Sequence, residues 1–224
     1  MTRYKIGIIG NGFVGESQAF AFSPTTEIKI YDIDPLRSTH TLNEVFDTNF
    51  VFVCVPTPMK KDGSQDITYI KNVFEKAQPG PIYIIKSTIT PGTTKKLQDQ
   101  YPSLKIVFSP EFLTERTAKL DMLTQARIIF GGDEKLTKKV EVLFNDRFMN
   151  RHIIHMDSKT AEFVKYMNNT FFAAKVSLMN EYYRLATNIG IDWDNTFGNT
   201  AIYAKQRNMN TDNTTLVLGV HFWF

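Results

Sequence analysis

Short apolar runs separated by polar, Gly- and Pro-bearing turns fill the first two thirds of the chain. Ile6, Ile8 and Ile9 form the first run, which predicts a buried strand ending at Gly10. Glu16–Phe22 predicts a helix stopped by Pro24, and Glu27–Tyr31 a second strand ending in Asp32. Thr41–Phe46 reads as a short helix and Phe50–Val55 as a third strand, closed by Pro56-Thr57-Pro58. A helix over Asp66–Ala77, with Asp66 as its cap, leads to a strand over Ile82–Ile85. A helix over Thr94–Gln100, strands over Lys105–Phe108 and Arg127–Phe130, a helix over Glu134–Phe144 and a strand over His152–His155 follow. This alternation predicts an α/β, Rossmann-type doubly wound parallel sheet over residues 1–157. Its ligands are expected at the carboxyl ends of the strands, where Thr57, Thr88 and Glu111 fall.

The pattern then changes. From Ser158 to Ile189 there is neither Pro nor Gly, with Asp157 or Ser158 as candidate caps and Gly190 as terminator. Val164, Met167, Phe171, Ala174, Leu178, Leu185 and Ile189 keep helical spacing, and Phe172, Val176, Met179 and Ala186 make a second stripe beside them. The second stripe exceeds what one sheet can cover, so the helix is expected to pack on another domain or on a second copy. Residues 158–224 are therefore read as a long central, dimerising helix followed by a truncated helical segment. Trp193, Phe197, Ile202 and Tyr203 suggest one more amphipathic helix, and an aromatic end at His221–Phe224 is an odd finish for a domain.

Composition adds few constraints. A net charge of +3 over 224 residues, with basic and acidic residues interspersed, does not argue for nucleic acid. No apolar segment approaches the ~20 residues of a membrane span, and no signal peptide is evident. The single cysteine, Cys54, excludes an internal disulfide and suits a reducing cytoplasm. Inside an apolar run, it reads as a core side chain rather than a nucleophile.

The chemistry starts at Gly10-Asn11-Gly12-Phe13-Val14-Gly15, a G-x-G-x-x-G between a strand and a helix. Gly10 serves the turn, Gly12 admits a pyrophosphate to the backbone, and Gly15 lets helix pack on strand. The N–H groups and partial positive charge at the helix start suit phosphates. Alone, such a loop is equally a glycine-rich turn with no ligand. The second strand and Asp32, about twenty residues on, favour dinucleotide binding, with the acid on the adenosine ribose. Asp32 also argues for NAD over NADP, because it would repel a 2′-phosphate. Arg37 reads either as a contact on the adenine side or as a solvated side chain after a turn. Lys165 and Asn169 are one helical turn apart and face the same way. Taken alone, such a pair on a mostly buried helix reads more readily as an edge pair with a snorkelling lysine than as a functional one.

Six motifs occur in order: the Gly10–Gly15 loop; Asp32; Val55-Pro56-Thr57-Pro58; Lys86-Ser87-Thr88 with Pro91-Gly92-Thr93; Pro110-Glu111-Phe112-Leu113 with Glu115; and Ala161-Glu162-Phe163-Val164-Lys165 with Asn169. Over about residues 4–190 the chain resembles the UDP-glucose/GDP-mannose dehydrogenase family. The resemblance implies NAD as cofactor and a nucleotide sugar as substrate, oxidised from a primary alcohol to a carboxylate. It implies that Asp32 and Arg37 hold the adenosine end, with Gly10, Gly12, Phe13, Val14 and Gly15 at the phosphates. Thr57, Thr88 and Glu115 would lie along the cofactor. Glu111 would activate water for the last hydrolysis, while Lys165 and Asn169 would stabilise an oxyanion; Thr88, Glu111, Lys165 and Asn169 are thus the candidate catalytic set. The resemblance also points to a homodimer through the helix of residues 158–189.

The chain departs from the pattern in four places. Thr114 and Arg116 stand where the family usually has Arg and Gly, and the Asp32–Phe50 segment is short. The family's cysteine motif, Gly-Gly-x-Cys-Phe-x-Lys-Asp, is absent, with His221 near its expected place. The nucleotide-closing third domain is missing too. Two further readings remain: a non-enzymatic NAD-binding or dimerisation fragment, and a hydroxyacid dehydrogenase of the 6-phosphogluconate type. The latter usually carries a Gly-Gly pair where this chain has Ser87-Thr88.

Overall fold

The computed structural model describes residues 4–193. The chain divides into two compact units, the first running to Tyr166 and the second opening at Met167. The first unit holds seven strands: β1 (Tyr4–Ile9), β2 (Thr26–Tyr31), β3 (Phe50–Val53), β4 (Ile82–Ile85), β5 (Lys105–Phe108), β6 (Arg127–Gly131) and β7 (His152–Met156). Their order in the sheet is β2-β1-β3-β4-β5-β6-β7. From β1 the chain moves outward to β2, then returns past β1 to β3. The order therefore reverses between β1 and β3, which opens a crevice at their carboxyl ends.

Continuous apolar strands are what a sheet covered on both faces requires. Phe50 and Phe52 of β3 and Ile82 and Ile84 of β4 enter one core cluster. Val51, Val53, Tyr83 and Ile85, the alternate residues, enter the other. Each such side chain, fully buried, contributes roughly 1.5–3 kcal/mol. The covering helices are α1 (Phe13–Phe22), α2 (Leu42–Phe46), α3 (Thr68–Lys76), α4 (Thr93–Gln100), α5 (Ala118–Thr124) and α6 (Glu134–Arg147). α7 (Ser158–Asn188) opens in the first unit and continues into the second.

Four details differ from the sequence reading. β3 ends at Val53: Cys54 N–H makes the last ladder bond, to Ile9 O (2.8 Å), and beyond it Val55 O accepts from the Ser87 side chain (2.6 Å). α3 starts at Thr68, and Asp66 acts two residues ahead of it, its Oδ1 accepting from Thr68 N–H at 2.9 Å. A 3-10 turn at Glu115–Thr117 and α5 fill the stretch after β5, to which the sequence reading assigned no element. Finally, β6 runs antiparallel to β5 through the single pair Phe108↔Gly131, while β6 and β7 are parallel. The sheet is thus mostly, not wholly, parallel: alternation of strands and helices does not encode direction, and the α5 crossover reverses it.

The second unit, as far as it is described, is the remainder of α7 and the turn at Gly190 (φ 74°). Asp157 caps α7, with Thr160 N–H donating to its Oδ1 at 2.9 Å. In this unit Met167, Phe171, Leu178, Leu185 and Ile189 of the first apolar stripe are each more than half exposed. The amphipathic helix expected around Phe197–Tyr203, the tail and His221 lie outside the described residues.

Candidate active site

The glycine loop lies at the crevice. Gly10 takes φ 91°, a left-handed conformation, and a Cβ there would stand 2.6 Å from Cys54 O. A Cβ on Gly15 would stand 2.0 Å from Gly10 O, which only a missing side chain avoids. The space beyond Gly12 is open: among the described residues, its chain neighbours aside, no atom stands within 4 Å of where a Cβ would be. Among the described residues no side chain caps the N-terminus of α1, so its first N–H groups are open to a ligand. Phe13, Val14 and Gly15 form that first turn.

Asp32 stands at the end of β2, its Oδ2 accepting from Asn11 N–H (2.6 Å) and its Oδ1 from Asp34 N–H (2.9 Å). The carboxylate is thereby fixed against the glycine loop itself. Asn11 Nδ2 donates to Arg37 O (2.9 Å), while Asn11 Oδ1 is buried with no hydrogen-bond partner among the described residues. The Arg37 guanidinium is exposed and 3.7 Å from Asp34 Oδ2. An uncapped helix start, an open glycine, an orphaned acceptor and an adjacent carboxylate fit a dinucleotide.

Two more loops leave the same ends of the sheet and are tied together. Thr57, 2% exposed, donates its hydroxyl to Thr88 O at 2.7 Å, and Gln65 Nε2 donates to the same carbonyl at 2.7 Å. Gln65 Oε1 accepts from Thr90 N–H (2.9 Å). Thr57 thus braces the Thr88 loop, and the Thr88 hydroxyl makes no hydrogen bond among the described residues. Glu115 is exposed on the 3-10 turn that leads into α5. α5 packs beside α1, with Lys119 Nζ 2.7 Å from Glu16 Oε1.

The strongest polar feature is buried. Lys165 of α7, 4% exposed, donates from Nζ to Glu111 O at 2.5 Å and to Glu111 Oε1 at 2.9 Å. Glu111 Oε2 accepts from Leu113 N–H at 2.6 Å. The ammonium also lies 5.5 Å from the centre of the Phe112 ring. The pair is satisfied on both sides, as a buried ion pair must be to persist. It removes the snorkelling reading of Lys165. Asn169, half-buried, is one turn farther along α7 and falls in the second unit.

Three residues here carried no sequence-based role. Lys86, 3% exposed, follows β4 and donates to Ser109 Oγ (3.2 Å) and Pro110 O (3.4 Å). Burial pulls its pKa down to about 8. A lysine continuing the apolar run Ile82–Ile85 was the available signal. Glu162, fully buried on α7, accepts from Gly92 N–H and from Thr94 N–H (2.7 Å), capping α4; burial raises its pKa. Gln65, the clasp of the two loops, gave no signal. Cys54 packs on the core with its thiol pushed up to about 12 by burial, against the pull of Lys86.

Comparison with known proteins agrees with this geometry. Residues 35–147 match the model of the UDP-glucose/GDP-mannose dehydrogenase family, NAD binding domain, and residues 159–211 match its central domain. The glycine loop precedes the first matched span, so its assignment rests on the geometry above. The UDP-glucose 6-dehydrogenase of Campylobacter jejuni is 32% identical, over 79% of this chain and 54% of that protein. UDP-glucose 6-dehydrogenase AglM of Haloferax volcanii is 29% identical, over 84% of this chain and 56% of its own. A UDP-glucose dehydrogenase structure from Pyrobaculum islandicum superposes with a TM-score of 0.76 at 24% identity, covering 89% of this chain and 56% of that one; it shares the fold. The chain spans about half the length of these relatives. On its two matched domains, the chain belongs to the UDP-glucose/GDP-mannose dehydrogenase family.

Proposed function

We propose that this chain supplies the NAD site and part of the sugar-oxidising site of a nucleotide-sugar dehydrogenase acting on UDP-glucose or a close relative. When bound, NAD would accept a hydride from the sugar's primary alcohol. Gly10–Gly15 would hold the pyrophosphate and Asp32 the adenosine ribose, with Arg37 beside it and Thr57, Thr88 and Glu115 along the cofactor.

The observation that carries the reading is the buried Lys165–Glu111 pair at the strand ends. An ammonium has three N–H groups, and two are committed to Glu111. The third is available to a substrate oxygen as negative charge develops on it, with Asn169 as a second donor. Glu111, held beside Lys165, can accept a proton from water in a later hydrolysis.

By the family resemblance, oxidation beyond the aldehyde would use a thiolate that holds the carbon as a hemithioacetal. Within these 224 residues the single thiol, on Cys54, stays protonated at neutral pH. The chain is therefore expected to bind NAD without forming the sugar acid, which keeps the non-enzymatic NAD-binding reading as the alternative. The exposed stripe of α7 supports dimerisation between copies through residues 158–189, as the opening of a second domain. One free thiol suits the cytoplasm.

The test is to incubate the purified chain with NAD and UDP-glucose, following NADH by absorbance and the sugar by mass spectrometry. At most a trace of aldehyde is expected, lost in Lys165→Ala. Acid formed at two NADH per sugar would overturn the assignment of the second oxidation to a thiolate outside Cys54. Lack of any NAD binding would sink the dehydrogenase reading altogether.

A further inference from the structure

We propose that Lys86 is a positioning residue for Glu111, pinning the Ser109–Pro110 turn from which that carboxylate meets Lys165. The inference rests on the reading of Glu111 as the water-activating group. Among the described residues the Glu111 side chain reaches only Lys165 and Leu113 N–H. The segment that delivers it is held by the Lys86 ammonium, through Ser109 Oγ at 3.2 Å and Pro110 O at 3.4 Å. These are long bonds for an ammonium, so the grip is adjustable rather than tight. Ser109 N–H is itself bound to Ile85 O (2.9 Å), one residue before Lys86, so both ends of the grip belong to adjacent strands.

A buried lysine costs several kcal/mol unless compensated, and Lys86 has no carboxylate within salt-bridge distance among the described residues. Its nearest titratable groups are the Cys54 thiol after β3, Glu111 after β5 and Lys165 on α7. Two ammonium groups, only one of them paired, therefore lie in the field of one carboxylate. Loss of the Lys86 proton relieves repulsion with Lys165 and weakens the hold on the turn in the same step. Burial, the largest cause, brings that step to about pH 8. Lys86 thus couples alkaline pH to the placement of Glu111 without touching substrate.

The experiment labels the glutamate carboxyl carbons and lysine Cε carbons of the full chain with carbon-13 and follows them by NMR across alkaline pH. The Glu111 signal is identified by its loss in Glu111→Gln. In the unmodified protein the Glu111 signal should inflect at about pH 8, together with one lysine Cε signal at the same midpoint. In Lys86→Met, with a folded state verified by its melting curve, both should vanish. Lys86→Arg, which keeps a charge but cannot titrate, should restore the Glu111 shift without its inflection. A Glu111 signal that stays flat in the unmodified protein overturns the proposal. So does an inflection that survives Lys86→Met, or a full set of lysine signals titrating at the ordinary lysine value. No turnover is needed, so a chain that fails to oxidise sugar leaves this test intact.

Discussion

The glycine loop and the buried charge cluster sit at the ends of the same sheet, yet they are built in opposite ways. The loop is local: Gly10, Gly12, Gly15 and Asp32 lie within 23 residues, and each acts through backbone shape or through one hydrogen bond to that backbone. The cluster is long-range: Lys86, Glu111 and Lys165 come from three loops and helices up to 79 positions apart. Lys165 is held by Glu111, and Lys86 by the Ser109–Pro110 turn that precedes Glu111. A site made of backbone is broken by adding an atom, whereas a site made of buried charges is broken by removing one.

The largest effect follows from adding the atom. Gly15→Val would drive a Cβ to 2.0 Å from a backbone oxygen that cannot rotate away. The cost should exceed the roughly 1–3 kcal/mol of ordinary overpacking. Circular dichroism should show loss of the folded state, and a native melting curve with NAD affinity intact would contradict the local account.

Next comes removal of a charge. Lys165→Met leaves Glu111 buried and unpaired, which should cost about 3–5 kcal/mol in urea denaturation. The double variant Lys165→Met, Glu111→Leu should recover a large part of that loss. Additive losses would mean that the two charges do not depend on each other.

The pH dependence of stability is somewhat smaller. The Lys86 pKa is lowered from 10.5 to about 8, so above pH 8 the unfolded chain binds more protons than the folded one. Stability contributed by this group must therefore rise with pH between about 8 and 10.5, by on the order of 3 kcal/mol. Cys54 has the opposite sign: its thiol is raised from 9 to about 12, so the folded chain keeps a proton that the unfolded one loses. Its contribution falls from pH 9 upward. Melts of Lys86→Met and Cys54→Ala across this range should separate the two trends, and identical profiles would refute both.

Smallest is the brace between loops. Thr57→Val removes one hydrogen bond to Thr88 O, which retains Gln65. About 1 kcal/mol is expected by denaturation, and a loss several times larger would make Thr57 more than a brace.

The same contrast decides what could be read before the structure. Strands and the glycine turn were legible because buried runs and obligatory glycines are written in consecutive residues. The direction of β6 was not, since a strand's apolar run is the same in either direction. Lys165 was legible as a candidate only through its spacing with Asn169; its carboxylate partner is 54 positions away. Glu162 stands in the same motif, yet its role as cap of α4 depends on N–H groups 68 and 70 positions earlier. Lys86 was visible as an anomaly, a lysine ending an apolar strand, and its meaning emerged only from the Ser109–Glu111 turn above it.

The claim on which the account depends is that Asp32 and the glycine loop form an NAD site. Calorimetric titration of the chain with NAD and with NADP tests it most directly. NAD should bind and NADP should bind more weakly. Asp32→Ala should lose about 1.5–3 kcal/mol of NAD affinity, the scale of hydrogen bonds to a charged group. Equal affinity for the two cofactors, or an Asp32→Ala variant that binds NAD as well as the unmodified chain, would contradict it.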